Sequence, residues 1–204
     1  MDGSTGFDIL TAFISSGTLV LYGLIGIKQN NRIVPGFPPH GEIGSVSSSP
    51  WTKYTSSQHN FSVDFPGIPT VVNDPNTIED IDVSDTLYKV EKEGIAVWVQ
   101  VLGYLKSQID ITTDPHSHLA MFTDILALEP DVSITCYENS VRFLGNPAIT
   151  IDIQRLNDQE DISTCFLCFI YDNSIFELVT EGRSGLGAEI KLVFNRFVSS
   201  FHFD

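Results

Sequence analysis

Basic residues are scarce in this 204-residue chain, which has 11 Lys and Arg against 26 Asp and Glu and a net charge of −15. Proteins that bind nucleic acids depend on Lys and Arg contacts to phosphate, so this balance argues against nucleic acid as a partner. It also disfavours electrostatic binding to anionic lipid surfaces. The composition is neither collagen-like nor disulfide-dense, and it lacks the bias of a disordered chain. One globular domain with a sizeable core is therefore expected.

Cysteine is also rare, and the three cysteines, Cys136, Cys165 and Cys168, lie in apolar runs that predict strands. An odd number of unpaired, buried thiols suits a reducing compartment. Cys165 and Cys168 match the C-x-x-C pattern, but redox motifs of that kind open a helix. Side chains three residues apart on a strand point to opposite faces, so this pair is expected to be structural rather than to form a disulfide or share a metal.

Familiar catalytic signatures are missing as well. The chain has no G-x-S-x-G elbow, and no spacing singles out a pair of carboxylates. His116 and His118 would diverge at a helix start, so they are expected to be exposed residues of a first turn. The glycines of residues 182–187 match neither a dinucleotide fingerprint nor a P-loop, and they predict a turn that packs a helix on a sheet. We therefore expect no enzyme activity, cofactor, metal site or small-molecule substrate.

One long apolar run is present near the amino terminus. Residues 9–27 carry no charge, and their length is close to the ~20 residues that span a bilayer as a helix. A signal peptide would begin with basic residues and end at a small-residue cleavage site, and neither is found. The run predicts an uncleaved transmembrane helix; the alternative is an N-terminal helix packed on its own domain or on a partner. The anchor residues are Ile9, Leu10, Phe13, Ile14, Leu19, Val20, Leu21, Leu24, Ile25 and Ile27.

Charges around this run predict its orientation. Lys28 and Arg32 follow it, whereas only Asp2 and Asp8 precede it. The positive-inside rule therefore places the following domain on the cytoplasmic side of a single-pass anchor, with the periplasmic or lumenal side as the alternative. The predicted organisation is an anchor, a tether rich in Pro, Gly and Ser, and a globular domain. Their respective boundaries are residues 1–28, 29–50 and 51–204.

The predicted globular domain contains runs of strands interrupted by helices. Residues 92–94 (Lys-Glu-Gly) predict a hairpin, and Asp114 before Pro115 predicts a helix start. A second helix with a continuous apolar stripe is predicted over residues 187–201. Strands are predicted at residues 51–54, 61–65, 87–91, 95–104, 132–137, 141–143, 148–156, 163–171 and 175–180. This order predicts an α+β fold in which an antiparallel sheet packs with two amphipathic helices.

Several short motifs of this domain resemble the PsbP-like superfamily. The motifs are Trp51-x-x-Tyr54, FSVDFPGIP at residues 61–69, GNPAITID at 145–152, NSIFELVTEG at 173–182 and FNRFVSSFHF at 194–203. The superfamily includes the PsbP subunit of photosystem II, DcrB lipoproteins, a Ran-binding nuclear import factor and the Eag chaperones of type VI secretion. The resemblance implies an α/β/α sandwich. It implies no catalytic residues, because the superfamily has no shared catalytic set.

Residues 74–85 form an acidic segment that is expected to be a solvated loop. It lacks the central glycine and closing glutamate of an EF-hand. The functional alternative to a plain surface loop is a loop that docks a basic partner. Its acidic residues are Asp74, Glu79, Asp80, Asp82 and Asp85.

The anchor, the binding-type fold and the missing catalytic signatures together favour one function. We expect an accessory or assembly subunit of a membrane protein complex, whose partners are the bilayer and the subunits of that complex. The alternative is a chaperone or binding module that shields a hydrophobic segment of a partner protein.

Overall fold

The structure, a computed structural model, describes residues 50–74, 76–78, 81–156 and 161–204, so the predicted anchor and nearly all of the tether lie outside it. The strands are β1 (Thr52–Ser56), β2 (Phe61–Phe65), β3 (Thr70–Asn73), β4 (Asn76–Ile78), β5 (Ile81–Lys92), β6 (Ile95–Tyr104), β7 (Val132–Phe143), β8 (Asn146–Arg155), β9 (Ile162–Tyr171), β10 (Ser174–Arg183) and β11 (His202–Phe203). The helices are α1 (Pro115–Leu128) and α2 (Gly187–Ser200), with a 3₁₀ turn at Ser184–Leu186. Within the described ranges, no helix is long and apolar enough to cross a membrane.

Two sheets form the framework of the domain. In the larger sheet the strands lie in the order β3-β5-β6-β10-β9-β8-β7, and β4 pairs with β5 beside β3. The smaller sheet has the order β1-β2-β11. Every pairing between described strands is antiparallel, as the sequence predicted.

Two-residue turns fix the register of the larger sheet. Both residues of each turn have a positive φ angle, which is typical of type I′ turns. Turns of this type match the right-handed twist of antiparallel strands, so they hold neighbouring strands in tight hairpins. The turns are Glu93-Gly94 between β5 and β6, Leu144-Gly145 between β7 and β8, and Asp172-Asn173 between β9 and β10. The hairpin predicted at residues 92–94 is confirmed.

Alternation along the central strands sorts apolar side chains into two cores. On one face, β6 contributes Val97 and Val99 to a core shared with α2 and the smaller sheet. On the other face, β6 contributes Trp98 and Leu102 to a core shared with α1. The two helices therefore cover opposite faces of the larger sheet, and the predicted packing of two helices on an antiparallel sheet is confirmed.

Both helices begin where the sequence predicted. The carboxylate of Asp114 accepts hydrogen bonds from the backbone N–H of Ser117 at 3.2 Å and from its hydroxyl at 2.6 Å, and so caps α1. Pro115 occupies the first helical position, where its missing N–H costs nothing. The apolar stripe predicted for α2 is buried, through Ile190, Val193, Phe194 and Phe197.

Three local predictions were wrong. The segments 132–137 and 141–143 form one strand, β7, because bulges carry the pairing across the polar residues between them. The acidic segment is not a continuous loop, because residues 76–78 form β4 and residues 81–85 belong to β5. Cys136 is exposed, since β7 is an outermost strand with an irregularity next to this residue. Cys165 and Cys168 are buried in opposite cores, as predicted.

Asn173 connects the β9–β10 turn to the segment that precedes α1. Its Nδ2 donates to the carbonyl oxygens of Tyr104 at 2.9 Å and Ile109 at 3.0 Å. Its Oδ1 accepts from the backbone N–H of Ile111 at 3.0 Å. One buried side chain thus satisfies three backbone groups, and asparagine also tolerates the positive φ that the turn requires.

We predict that Asn173→Ala destabilises the domain by about 2–4 kcal/mol, because it leaves buried backbone groups unpaired and strains a left-handed residue. Asn173→Asp keeps the acceptor oxygen and the preference for the turn but loses both N–H donors, so its loss of stability should be intermediate. The measurement is urea unfolding of the full chain in mild detergent, followed by tryptophan fluorescence. If Asn173→Ala lowered the free energy of unfolding by less than about 0.5 kcal/mol, the Asn173 side chain would not have this stabilising role.

Candidate functional site

Strand β3 is the outermost strand at one end of the larger sheet, and no described strand pairs with its outer side. The backbone N–H of Asp74 donates to the carbonyl oxygen of Asp85 at 2.9 Å, so Asp74 directs its main-chain groups toward β5. Main-chain direction alternates along an antiparallel strand, so Val72 also points toward β5. Val71 and Asn73 therefore point outward with their N–H and C=O groups. Such groups are a template for a further strand.

The side chains of residues 68–74, which we call the open edge, are unusually apolar for an outer strand. Ile68 is 84% exposed, Val71 43% and Val72 54%. Val71 and Val72 point to opposite faces of the sheet, so neither helix covers this strand. Natural proteins protect a sheet edge with lysine, proline, a bulge or a covering element. Here Pro69 lies before the strand, and the strand itself remains apolar and accessible.

Acidic residues lie at one end of the open edge, where Asp74 follows β3 and is bonded to Asp85 of β5. Residues 54–88 contain six Asp and Glu and no Lys or Arg. Asp82 is held by Gln108, whose Oε1 accepts from the Asp82 backbone N–H at 3.0 Å and whose Nε2 donates to the Asp82 carboxylate at 3.4 Å. Lys89 lies opposite Thr70 in the β3–β5 pairing, and its ammonium group is paired with Glu91. The edge therefore combines open main-chain groups and apolar side chains with negative charge.

The five predicted docking residues have different positions in the structure. Asp74 and Asp82 are exposed beside the open edge. Asp85 is half-buried within the sheet. Glu79 and Asp80 lie outside the described residues. The described residues of the segment thus lie at an outer side of the larger sheet, and most of them belong to strands.

Asp85 begins a row of polar side chains that leads from the open edge to the centre of the sheet. This carboxyl row consists of Asp85 on β5, Gln100 on β6 and Glu177 on β10. Gln100 Nε2 donates to both carboxylate oxygens of Asp85, each at 3.0 Å. Glu177 lies opposite Gln100 in the β6–β10 pairing and is 0% exposed. Neither of its carboxyl oxygens has a hydrogen-bond partner in the described part of the chain.

The two carboxyl groups of the row differ in charge at neutral pH. Burial raises the pKa of Glu177 to about 8, and the charge of Asp85 contributes to the rise. Burial raises the pKa of Asp85 to about 6, with the hydrogen bond from Gln100 opposing the rise and Asp74 adding to it. Glu177 is therefore largely protonated at pH 7, whereas Asp85 is largely ionised.

The sequence analysis missed the carboxyl row. The feature that could have indicated it is the single glutamate in the apolar run at residues 175–179. A run of this kind predicts a strand that is buried on both faces. The carboxyl group of an acidic residue in such a run is buried, so it must be protonated or paired with a positive charge. Gln100 carries the same signal on β6, where the residues on either side of it are buried.

Other residues named by the sequence do not converge on a site. His116 is exposed and His118 is half-buried in the first turn of α1. Within the described ranges, no three His, Cys, Asp or Glu side chains are grouped as metal ligands. A Cβ at Gly182 would lie 2.9 Å from the carbonyl oxygen of Gly94 and 3.2 Å from Ile190 Cδ1. This glycine therefore lets α2 approach the sheet, as predicted.

No family model and no curated protein matches the chain. Among solved structures, the cyanobacterial PsbP (CyanoP) of Synechocystis sp. PCC 6803 is similar, with a TM-score of 0.47, 12% identity and coverage of 81% of this chain and 98% of that one. LpqN of Mycobacterium tuberculosis, involved in cell envelope biogenesis, has a TM-score of 0.42, 12% identity and coverage of 74% and 89%. A PsbP is therefore among the similar solved structures, as the sequence motifs predicted.

The buried carboxyl of Glu177 predicts a pH-dependent stability. The folded state binds this proton more tightly than the unfolded state, so the free energy of unfolding should fall as pH rises from about 4.5 to about 8. We predict that Glu177→Gln removes this fall, which amounts to on the order of 3 kcal/mol between pH 5 and 8. Urea midpoints measured across pH 5–9 test this.

The matched control is Glu138→Gln, because Glu138 is an exposed carboxylate of β7. This variant should keep the pH dependence of the original chain. A parallel pH dependence in the original chain and in Glu177→Gln would show that Glu177 does not bind the proton in question.

Proposed function

We propose that the chain is a non-catalytic, membrane-anchored accessory or assembly subunit that docks a partner protein by strand addition at the open edge. The observation that carries this proposal is the outward direction of the Val71 and Asn73 main-chain groups on an exposed, apolar outer strand. Strand addition uses such groups for affinity and the flanking side chains for specificity.

The partner segment that fits this edge is extended, partly apolar and basic. Its main chain would pair with Val71 and Asn73, while alternate side chains would cover Val71 on one face and Val72 on the other. Lys or Arg side chains would lie near Asp74 and Asp82. No Lys or Arg occurs within residues 54–88, and Lys89, which lies opposite Thr70, is already paired with Glu91.

The membrane part of the proposal depends on the apolar run. Nineteen consecutive uncharged residues, 9–27, suffice to anchor the chain in a bilayer, and residues 29–50 would allow the domain to reach a neighbouring protein. Lys28 and Arg32 favour a domain on the cytoplasmic side. A cytoplasmic domain would encounter basic segments next to other membrane helices, since these are enriched on that side.

A chaperone-like module is the second candidate, and the exposure of Ile68, Val71 and Val72 favours it. In that case the edge would shield an apolar segment of a client, and the acidic residues would serve solubility. An uncharged apolar peptide would then bind as well as a basic one, and salt would not weaken binding.

Docking at the open edge predicts that Val71→Pro abolishes binding. Proline removes an outward N–H without removing a hydrogen bond to β5, and it is tolerated in outer strands. The probe is a labelled eight-residue peptide of alternating Val and Lys, added to the full chain in mild detergent and followed by fluorescence anisotropy. We expect an affinity at least about tenfold weaker for the variant, since each lost backbone hydrogen bond costs about 1 kcal/mol and the incoming strand is also distorted.

Two controls define the outcome. Val71→Thr keeps the N–H and a β-branched side chain, so it should bind nearly as well as the original chain. An alternating Val and Glu peptide should not bind, because the edge is acidic. Equal binding of both peptides, or unchanged binding by Val71→Pro, would exclude this mode of docking.

The anchor predicts that the chain stays with membranes after extraction at alkaline pH. Leu21→Arg places a charge near the middle of residues 9–27, where it costs roughly 3 kcal/mol of insertion free energy. We expect the original chain in the membrane pellet and a measurable release of the variant, detected by immunoblot. Mild-detergent extraction and a blue-native gel then show whether the original chain migrates within a larger assembly. Release of the original chain without detergent would exclude the anchor.

A further inference from the structure

One segment of the tether, outside the described residues, has a composition that matches the open edge. Within residues 29–49, two stretches longer than two residues lack proline, 29–34 and 40–49. The first ends with an arginine and two β-branched residues (Arg-Ile-Val), whereas the second contains no Lys or Arg. β-branched residues favour an extended backbone, and a pairing strand needs the N–H groups that proline lacks. Residues 30–34, which we call the tether segment, are therefore suited to form a basic strand with an apolar end.

The tether segment and the open edge are complementary in charge. Before Lys53 the sequence has only two basic residues, Lys28 and Arg32. At the end of β3, Asp74 donates its backbone N–H to the carbonyl oxygen of Asp85 at 2.9 Å, so these two residues lie opposite each other. Side chains of opposite residues project from the same face of a sheet about 5 Å apart, which brings the two carboxyl groups together. A cation at this end of the edge would be attracted by both.

The tether joins the domain close to the open edge. Thr52 pairs with Phe65, and Phe65 precedes Thr70, the first residue of β3, by five residues. Five residues span at most about 18 Å. Residues 35–51 span up to about 55 Å when they are extended. The intervening chain is thus long enough for the tether segment to lie along β3.

We infer that residues 30–34 pair with β3 as an antiparallel strand and so cover the open edge until a partner protein displaces them. Antiparallel pairing leaves Pro35 next to Thr70, at the end of β3 closer to Phe65, so the tether can return directly to the domain. This regulation rests on the proposed docking at the open edge, because the partner and the tether use the same main-chain groups.

The outward main-chain groups of β3 determine which residues pair. Val71 and Asn73 point outward, and in an antiparallel ladder each such residue exchanges two hydrogen bonds with the residue opposite it. Placing Ile33 opposite Val71 also places Asn31 opposite Asn73. The Ile33 side chain then lies beside that of Val71, which is 43% exposed.

Arg32 lies on the other face in this register, opposite Val72. Because faces alternate along a strand, Val72 and Asp74 share one face. Diagonal neighbours on paired strands are within reach of long side chains. The guanidinium group of Arg32 would therefore contact the Asp74 carboxylate, with the Asp85 carboxylate next to it.

Other registers lose one of these contacts. A shift of two residues in one direction places Pro35 opposite Val71, where an N–H donor is needed. The opposite shift places Arg32 opposite Thr70, whose partner on the inner side is Lys89. A shift of one residue exchanges the two faces, so the arginine would leave the face that carries the two carboxyl groups.

A partner protein would be able to displace the tether segment. A segment joined to its site by a short linker has an effective concentration in the millimolar range, so even weak pairing suffices to cover the edge. If residues 9–27 anchor the chain, this pairing also brings the acidic domain next to the membrane, where repulsion by anionic headgroups opposes it. A partner with a longer or more basic strand would therefore replace the tether segment.

The test uses Ile33→Pro, which removes the N–H that would bond to Val71 and changes no residue of the globular domain. The first readout is hydrogen–deuterium exchange of the Val71 and Asn73 amides in the full chain in mild detergent, without peptide. The second is the affinity for the labelled eight-residue peptide of alternating Val and Lys. Because exchange rate and apparent affinity both scale with the fraction of chains whose edge is open, we expect both to rise by the same factor, at least about fivefold.

The matched control is Val46→Pro, which changes a β-branched residue in the other proline-free stretch of the tether. It should leave both readouts unchanged, and equal effects of the two proline variants would overturn the inference. Protection of the two amides that arises only at high protein concentration would also overturn it, since it would indicate pairing between two copies of the chain.

Two further outcomes distinguish the tether contact from the proposed function. If Ile33→Pro changes neither readout while Val71→Pro still abolishes peptide binding, the tether contact is wrong and docking at the open edge stands. If Ile33→Pro speeds exchange of the two amides but neither chain binds the peptide, the tether contact is supported and the proposed docking of a partner is wrong.

Discussion

The register of the larger sheet is the constraint on which the rest of the domain depends. Each central strand is buried on both faces, so every side chain must belong to one of two cores. A slip of one residue would exchange Trp98 with Val99 and move Glu177 to the other face. Two-residue turns with positive φ angles prevent such a slip, and the side chain of Asn173 connects one of them to the segment that begins the α1 layer. Helix placement, the carboxyl row and the order of the outer strands all follow from this register.

The carboxyl row shows how an acidic protein places charge within such a sheet. Two carboxylates near each other in a buried environment cannot both be ionised without a large cost. Here Asp85 keeps its charge because Gln100 donates to both of its oxygens. Glu177 keeps its proton because it is buried near Asp85 and no group in the described part of the chain donates to it. The charge is therefore retained at the end of the row closer to the open edge and suppressed at the centre. This asymmetry adds to the negative potential at the edge while the core remains neutral.

Local patterns in the sequence were sufficient to predict the helices and the hairpin. These predictions depend on residues close together in sequence. They rest on Asp114 before Pro115, the apolar stripe of α2 and the turn at residues 92–94. The prediction of a loop for the acidic segment was wrong because it was based on the charges of the segment. The alternation of Ile81 and Val83 with polar residues is typical of a strand with one solvent-facing side. The open edge and the carboxyl row depend on which strands become neighbours. Residues 85, 100 and 177 meet only through long-range pairing, which a single sequence does not display.

The proposed docking at the open edge follows from one physical requirement, that buried main-chain groups be hydrogen-bonded. Val71 and Asn73 direct their main-chain groups to a side on which no described strand lies, so an added strand would satisfy them. The acidic residues near the edge would favour a basic partner and disfavour contact with an anionic membrane surface. If residues 9–27 anchor the chain as proposed, a domain repelled by the leaflet would leave its edge accessible, and residues 29–50 would set its distance from the membrane. The negative charge would then select the partner and also orient the domain toward it.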